Sequence, residues 1–413
     1  MNGQMKTETF QSPIRVLRIA HASLTPALRQ RERALVRLFP EVKLEVVTTT
    51  RWHEAGVDVD AVDDDLFPVI KARPLFSKHI QLFAYDPRPI ISALRRHRPQ
   101  LIDLNHEPYS IACAEVLTLC KWFAPRAVIT IQTCQNIFHQ YPPPFRWLER
   151  RALKRASTAS ICSDTVREVL FAKGFSKPVG VIPFGVDVDS FSPRGATGRN
   201  GDPPVIGFVG RMLPGKGLTI LGQALALLRH ENWTALVVGD GPERAEFETI
   251  LRAHSLQDRV RFTGAVSFDQ VPDLYHQMDL LVVPTETTDR IREQFGRVIV
   301  EAMASGLPVV GSSCGAIPEV IADAGLVFAE GDVADLANAI KRMSSDDALR
   351  ERCAIQGRTR VAENYSWEVV ARKTYEFFRQ TLAGAQAFAE PQFERANLAT
   401  VRRLDRESEN AAA

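Results

Sequence analysis

The chain lacks the features that would make it a membrane-spanning, disulfide-bonded or zinc-binding protein. Its most apolar long stretch, Ile111 to Ile131, is broken by Glu115, Lys121, Pro125 and Arg126. Charges at bilayer depth are costly, so this stretch is not expected to span a membrane. The six cysteines, Cys113, Cys120, Cys134, Cys162, Cys314 and Cys353, contain no Cys-x-x-Cys pair. Such spacing suits buried thiols in a reducing compartment better than disulfides or a zinc site. Met1 to Gln11 is polar and leads directly into Ile14 to Ala20, with no leader-type apolar segment. Together these absences lead us to expect a cytoplasmic protein.

What remains is a chain of 413 residues, 45% hydrophobic, long enough to bury two compact cores rather than one. The net charge of +2 conceals an asymmetry. Residues 1–185 hold 26 lysines and arginines against 17 aspartates and glutamates, and the remainder holds 25 against 32. A basic first half admits an anionic acceptor or an anionic membrane surface as partner, or serves solubility alone.

Strand-like runs near 14–20, 42–48, 101–104, 127–131, 159–163 and 179–183 alternate with helix-like stretches, which predicts a parallel sheet. Thr25 followed by Pro26 predicts a helix start, with leucines at helical spacing from Ala27 to Leu38. After Phe184 to Asp187 the chain turns rich in glycine and proline, Ser192 to Pro204, as linkers do. Alternation then resumes at 205–209, 235–238, 260–262, 280–283, 308–310 and 326–328, predicting a second doubly wound domain. Tyr365-Ser366-Trp367 opens an amphipathic helix to about Leu382, and a polar tail follows. The expected organisation is an N-terminal Rossmann-like domain over 1–190, a linker over 191–204 and a second such domain over 205–364. A crossover helix over 365–385 and a mobile tail over 386–413 complete it. The chemistry is expected in the cleft, beyond the carboxyl ends of the strands.

Gly210-Arg211-Met212-Leu213-Pro214-Gly215-Lys216-Gly217 is a glycine-rich turn between a strand and a helix, a natural anion site. It is almost a P-loop, but a nucleotide hydrolase of that kind needs Ser or Thr at position 217 to hold magnesium. With Gly217 there, Arg211 and Lys216 are read instead as a cation pair for a diphosphate. Gly239-Asp240-Gly241-Pro242 lacks the third glycine of a dinucleotide fingerprint and is read as a tight turn.

Glu293-Gln294-Phe295-Gly296-Arg297-Val298-Ile299-Val300-Glu301 is the most informative segment. With a helix beginning near Gly296, Glu293 lies in the loop before it and Glu301 within it. Amides of Gly296 to Val298 would face a diphosphate, and the two carboxylates would accept sugar hydroxyls. A solvated helical face is a poor alternative for Glu301, given its apolar neighbours.

The Gly210–Gly217 turn, Gly239-Asp240-Gly241-Pro242, Glu293-x7-Glu301 and Gly315-Ala316-Ile317-Pro318-Glu319 occur in the order found in glycosyltransferase family 4, and the chain resembles that family. The resemblance is strong over 204 to about 330 and looser over the whole chain. It implies an α/β protein of GT-B fold, two doubly wound Rossmann-like domains facing each other across a cleft, with a C-terminal helix crossing back to the first. It implies a retaining, hexosyltransferase-type enzyme that moves a sugar from a UDP- or GDP-type donor to a glycan or lipid-linked acceptor in cell-surface polysaccharide biosynthesis. No metal, cofactor or nucleic acid is implied. Glu293, Arg211 and Lys216 would be catalytic, and Glu301, Phe295, Gly296, Arg297, Val298 and Gly210 would bind the donor. Ala316 stands where a second glycine is usual, which narrows room near the sugar or phosphate.

The first half departs from the family. His21-Ala22-Ser23-Leu24-Thr25-Pro26 replaces its glycine-rich loop, and Gln132 stands where many members carry a histidine. Gln132 cannot take a proton at neutral pH, so its role would be orientation. His106 in His106-Glu107-Pro108 is the other acceptor-side candidate. The basic amphipathic stretch Phe145 to Arg155 is expected to pack on its own domain in preference to lying on the inner face of the plasma membrane. Asp63-Asp64-Asp65 is expected to be a solvated charge run rather than a metal site. The competing functions are a sugar-nucleotide epimerase or phosphorylase of related fold, and a non-catalytic sugar-nucleotide binding module.

Overall fold

The near-continuous runs of valine, isoleucine and leucine become strands covered on both faces, as parallel sheets require. The structure, a computed structural model, describes residues 13–54, 57–76, 79–193 and 203–384. The first sheet comprises β1 (Ile14–Ala20), β2 (Val42–Thr49), β3 (Val69–Ala72), β4 (Leu101–Asn105), β5 (Val128–Thr133), β6 (Thr158–Ile161) and β7 (Val179–Val181). Its order is β7-β6-β5-β4-β1-β2-β3, all parallel. The second comprises β8 (Val205–Val209), β9 (Thr234–Val238), β10 (Val260–Gly264), β11 (Leu280–Val283), β12 (Val309–Ser312) and β13 (Gly325–Phe328), in the order β10-β9-β8-β11-β12-β13.

Both sheets reverse strand order once, between β1 and β4 and between β8 and β11. Such switch points leave crevices at the carboxyl ends of the flanking strands. β3 and two short antiparallel pairs, Arg51–Glu54 with Val57–Asp60 and Pro74–Leu75 with Ala84–Tyr85, were not foreseen. They run two to four residues each, too short for alternation to stand out.

The helix Trp367–Ala383 starts at an N-cap, Ser366, whose hydroxyl accepts from Val369 N. It lies on the first domain: Tyr375 stacks on Phe39 at 3.8 Å and donates to Glu41, and Thr381 meets Thr158 at 3.2 Å. Phe191, the first residue of the expected linker, is buried against Tyr275 and Phe268. The rest of that linker over 194–202 and the tail over 386–413 lie outside the described residues.

Two expectations are corrected. Thr25 makes no side-chain cap bond, and Pro26–Arg29 is a tight 3-10 turn ahead of the helix Gln30–Leu38. The cause is Arg29, whose buried guanidinium donates to the carbonyls of Ser23, Leu24 and Val62 and so holds the turn closed. Asp64 is not a solvated charge. Its side chain is fully buried between Arg29 at 3.0 Å and Arg33 at 2.6 Å, because a buried guanidinium needs a carboxylate partner. The helix Phe145–Arg155 buries Glu149, Ala152 and Leu153 on its own domain and leaves Trp147 exposed. Among the described residues no helix is long and apolar enough to cross a membrane.

Candidate functional site

The turn after β8 reaches the end of β11 through backbone contacts. Glu286 N donates to Gly215 O, and Gly217 caps the helix Leu218–Leu227 at φ +76°. A Cβ at position 217 would lie 1.8 Å from the Pro284 carbonyl oxygen. The hydroxyl side chain of a P-loop is therefore excluded by packing, beyond the conformational strain of a left-handed residue. The Gly239–Gly241 turn seats this loop from the other side, with Gly210 N on Val238 O and Met212 N on Asp240 O.

The helix Arg297–Ala304 begins at Gly296 and ends at Ser305, so Glu293 lies in the preceding loop. Glu293 Oε2 accepts from Lys216 Nζ at 2.8 Å and Oε1 from Gly296 N at 3.1 Å. Lys216 and Glu293 thus form an ion pair across the gap between the two motifs, whereas the exposed Arg211 guanidinium makes no hydrogen bond or ion pair among the described residues. Gly315 lets the loop pack closely: a Cβ there, at φ +56°, would stand 2.2 Å from the Glu293 carbonyl oxygen, which accepts instead from Ala316 N. Ala316 is fully buried and lines neither cleft cavity, so its methyl group does not narrow the site.

Residues of the first domain grip the same loop. Asn136 Nδ2 donates to the carbonyls of Glu293 and Arg292, and Arg292 donates back to Asn136 O at 3.1 Å. Ser163 donates to Gln294 O at 2.7 Å, and Asp164 N donates to Glu319. Phe295 is buried between Phe184 and Tyr365. Sequence reasoning missed Asn136 and Ser163, and no local signal marks them, because each acts on a loop more than 130 residues away.

Two adjoining cavities share Arg211, Lys216, Glu293 and Gln294. The smaller, about 300 Å³, opens at the β8/β11 switch point among Gly210, Pro284, Gly296, Arg297 and Val298. The first amides of the helix there have no intrahelical partner and carry the positive end of its dipole. The second, about 660 Å³, extends between the domains toward Tyr109 and Tyr141. A larger cavity of about 970 Å³ opens at the opposite, amino ends of β1 and β5, where parallel sheets do not place their ligand crevices.

Three of the expected residues lie away from these cavities. Glu301 is 7% exposed, lines neither one, and receives the Tyr275 hydroxyl at 3.2 Å with Arg297 at 3.9 Å. Burial pushes its carboxyl above the usual range, against the pull of Arg297 and Tyr275. Gln132 is buried on β5 with its Oε1 unpartnered among the described residues. His106 is 2% exposed, 2.8 Å from the Tyr85 hydroxyl and stacked on His21 at 5.2 Å. The β1/β4 switch point is thereby filled with His21, His106, Trp52, Phe83 and Tyr85.

Burial lowers His21 from 6.5 to about 4 and holds His106 well below the ordinary histidine range. The folded state then binds fewer protons than the unfolded one between those values. The contribution of His21 to stability is full above pH 6.5 and is lost as pH falls toward 4, at up to about 1.4 kcal/mol per pH unit. In thermal unfolding across that window, His21→Asn is expected to fall less steeply with acidification than the wild type. Equal slopes would mean that His21 is not buried as the neutral imidazole.

Residues 191–360 match the family described as Glycosyl transferases group 1, and residues 33–190 match Glycosyltransferase Family 4. The 2-deoxystreptamine glucosyltransferase of Streptomyces kanamyceticus is 36% identical over 218 residues, 49% of this chain and 54% of that protein. The sulfoquinovosyl transferase of Arabidopsis thaliana is 27% identical over 373 residues, 84% of this chain and 69% of that one. Among solved structures, Anabaena Alr3699/HepE in complex with UDP matches with a TM-score of 0.69 at 19% identity, covering 89% of this chain and 100% of that one. The chain spans about half the length of the first curated relatives it matches.

Proposed function

The chain belongs to glycosyltransferase family 4 and has its GT-B fold, and from that premise we propose that it transfers a hexosyl group, with retention and without metal, from a nucleotide-diphosphate sugar to an acceptor in the interdomain cleft. The observation that carries this reading is the unpaired Arg211 beside Lys216 and the amino end of the helix Arg297–Ala304, all on one cavity at the β8/β11 switch point. Two cations and free amides suit a diphosphate, because charge-assisted bonds in a partly enclosed site are strong.

In the proposed reaction the bond from the sugar's anomeric carbon to the diphosphate oxygen breaks as the acceptor oxygen attacks from the same face. The departing phosphate takes the acceptor's proton, so no protein base is required. Arg211 and Lys216 stabilise the charge that grows on the leaving group, which is where fixed charges accelerate a reaction most. Glu293, held by Lys216 and Gly296 N at the junction of the two cavities, accepts hydroxyls of the donor sugar. Glu301 would serve the ribose through Oε1, since the Tyr275 hydroxyl occupies only Oε2.

A UDP-sugar is the first donor to try, since the Anabaena protein of like fold holds UDP. Thermal shift with UDP, GDP and ADP in EDTA is expected to single out one nucleotide, with about 2.7 kcal/mol of stabilisation at a hundredfold excess over Kd. Incubation with its sugar conjugate and an acceptor panel should give a product of unchanged anomeric configuration. Binding without turnover would make the chain a sugar-nucleotide binding module, and an isomerised free donor would make it an epimerase. Stabilisation by none of the nucleotides would overturn the donor site itself.

A further inference from the structure

Serine is a favoured residue at the start of a helix, because its hydroxyl accepts a bond from one of the first free amides. Ser163 occupies that place at the helix Asp164–Ala172, yet its side chain makes no cap bond. It is fully buried and donates instead to Gln294 O of the second domain at 2.7 Å, which leaves Thr165 Oγ1, 2.9 Å away, as donor to it. The Cys162 thiol reaches the same carbonyl at 3.4 Å. The first amide of the helix, Asp164 N, is also turned to the second domain, on Glu319 Oε2 at 3.0 Å. A helix start that could have been capped locally is directed at the other half of the molecule.

Asn136 does the same from the adjacent strand. β5 and β6 run side by side with Thr133 opposite Ile161, and Asn136 and Ser163 lie just beyond their carboxyl ends. Asn136 is 2% exposed, and its Nδ2 donates to Glu293 O at 2.9 Å and to Arg292 O at 3.2 Å. The consecutive carbonyls of Arg292, Glu293 and Gln294 are therefore all held from the first domain. The chain between β11 and Gly296 forms neither helix nor strand, so no ladder of its own fixes it. Within the second domain, Ala316 N on Glu293 O at 3.0 Å supports the same backbone. Ser163 lines neither cleft cavity, and Asn136 lines only the larger one.

We propose that Ser163 and Asn136 are positioning residues for Glu293: from the first domain they fix the backbone of Arg292 to Gln294, so that the carboxylate stands at the junction of the two cavities. The proposal rests on the glycosyltransferase reading above and adds the residues on which the placement of its carboxylate depends. A group that acts on the transition state loses on the order of a hundredfold when misplaced by about 1 Å. Arg211 and the amides of the helix Arg297–Ala304 face the diphosphate without this loop's help, so nucleotide affinity does not depend on the two residues. A merely structural pair of interdomain bonds would behave differently. Its loss would lower the melting temperature, and would do so equally with or without the Glu293 carboxylate.

The test measures turnover of UDP-sugars, or of the conjugates of GDP or ADP where thermal shift selects that nucleotide, by the full chain. Turnover is read both as donor hydrolysis without acceptor and as transfer to the acceptor panel. Hydrolysis excludes any contact between Asn136 and an acceptor. Ser163→Ala and Asn136→Ala are each expected to lower kcat about tenfold and to leave the nucleotide Kd within about threefold of wild type. In a Glu293→Ala background the same substitutions are expected to cost less than about twofold, since no carboxylate is left to place. Wild-type kcat in both variants would overturn the proposal, as would a tenfold loss that persists in the Glu293→Ala background or one that appears in nucleotide Kd instead of kcat. Thermal unfolding checks that each variant folds, and either variant alone carries the test. A wild-type chain with neither hydrolysis nor transfer would overturn the glycosyltransferase reading and this assignment with it, whereas an active wild type with indifferent variants overturns the positioning alone.

Discussion

Glu293→Ala is expected to lower kcat/KM for transfer by about a hundred- to a thousandfold, the loss that follows removal of one fixed partner of a charged transition state. Its carboxylate is oriented by two donors, Lys216 Nζ at 2.8 Å and Gly296 N at 3.1 Å, and the Gly315 and Ala316 backbone props the loop behind it. On the proposed reaction, alanine removes the acceptor for the sugar hydroxyls and releases Lys216 toward the diphosphate. Nucleotide binding is therefore expected to hold or tighten while turnover collapses. Glu293→Gln keeps the shape and one acceptor oxygen, so its loss should be closer to tenfold. Steady-state transfer and nucleotide titration on the same preparations separate the two effects. Wild-type turnover in Glu293→Ala would remove the residue from the chemistry.

The turns and helix starts of the second domain were legible because their information is local. A strand, a glycine turn and a helix start lie within a few residues of one another at Phe208 to Leu218, and a glycine turn opens a helix again within Glu293 to Glu301. The physical rules that link them, anion affinity at a helix start and close backbone approach at glycine, need no knowledge of distant chain. Even so, the sequence did not show that Lys216 and Glu293 pair with each other, which depends on the fold bringing the end of β8 beside that of β11. Nor did it show Tyr275 on Glu301, from a helix 26 positions earlier.

The first domain was legible only as a sheet. His106 and Gln132 stood out because they sit at strand ends in a resemblance, but burial in a parallel sheet is set by what covers each face. His106 is covered by His21, Phe83 and Tyr85, with Trp52 behind His21 and Phe83, and Trp52 and Tyr85 lie on the two short antiparallel pairs that the pattern did not reveal. The cavity wall comes instead from the loop after β5, where Gln135 and Tyr141 follow no periodicity and are held by Lys173 from a later helix turn. The same logic explains Asp64. Three aspartates in a row read as solvated until Arg29 and Arg33 are placed beside the middle one.

Lys216→Ala is expected to lower transfer well over tenfold and, unlike Glu293→Ala, to weaken nucleotide binding as well. Two roles are open to an ammonium 2.8 Å from a carboxylate. It can merely hold Glu293, or it can also meet the diphosphate, with Arg211 as the second cation on the same cavity. If it only holds Glu293, the double variant Lys216→Ala/Glu293→Ala loses no more than Glu293→Ala alone, since nothing is left to position. If it also meets the diphosphate, the double variant loses a further factor of at least ten, and nucleotide affinity falls in both variants that lack the lysine. The second outcome is expected, because the pair is only partly buried and a diphosphate brings more charge to Lys216 than one carboxylate does. A double-mutant cycle on kcat/KM, with nucleotide Kd measured alongside, distinguishes them. A Lys216→Ala enzyme with wild-type affinity for the nucleotide would leave Arg211 and the helix amides as the whole of the diphosphate site.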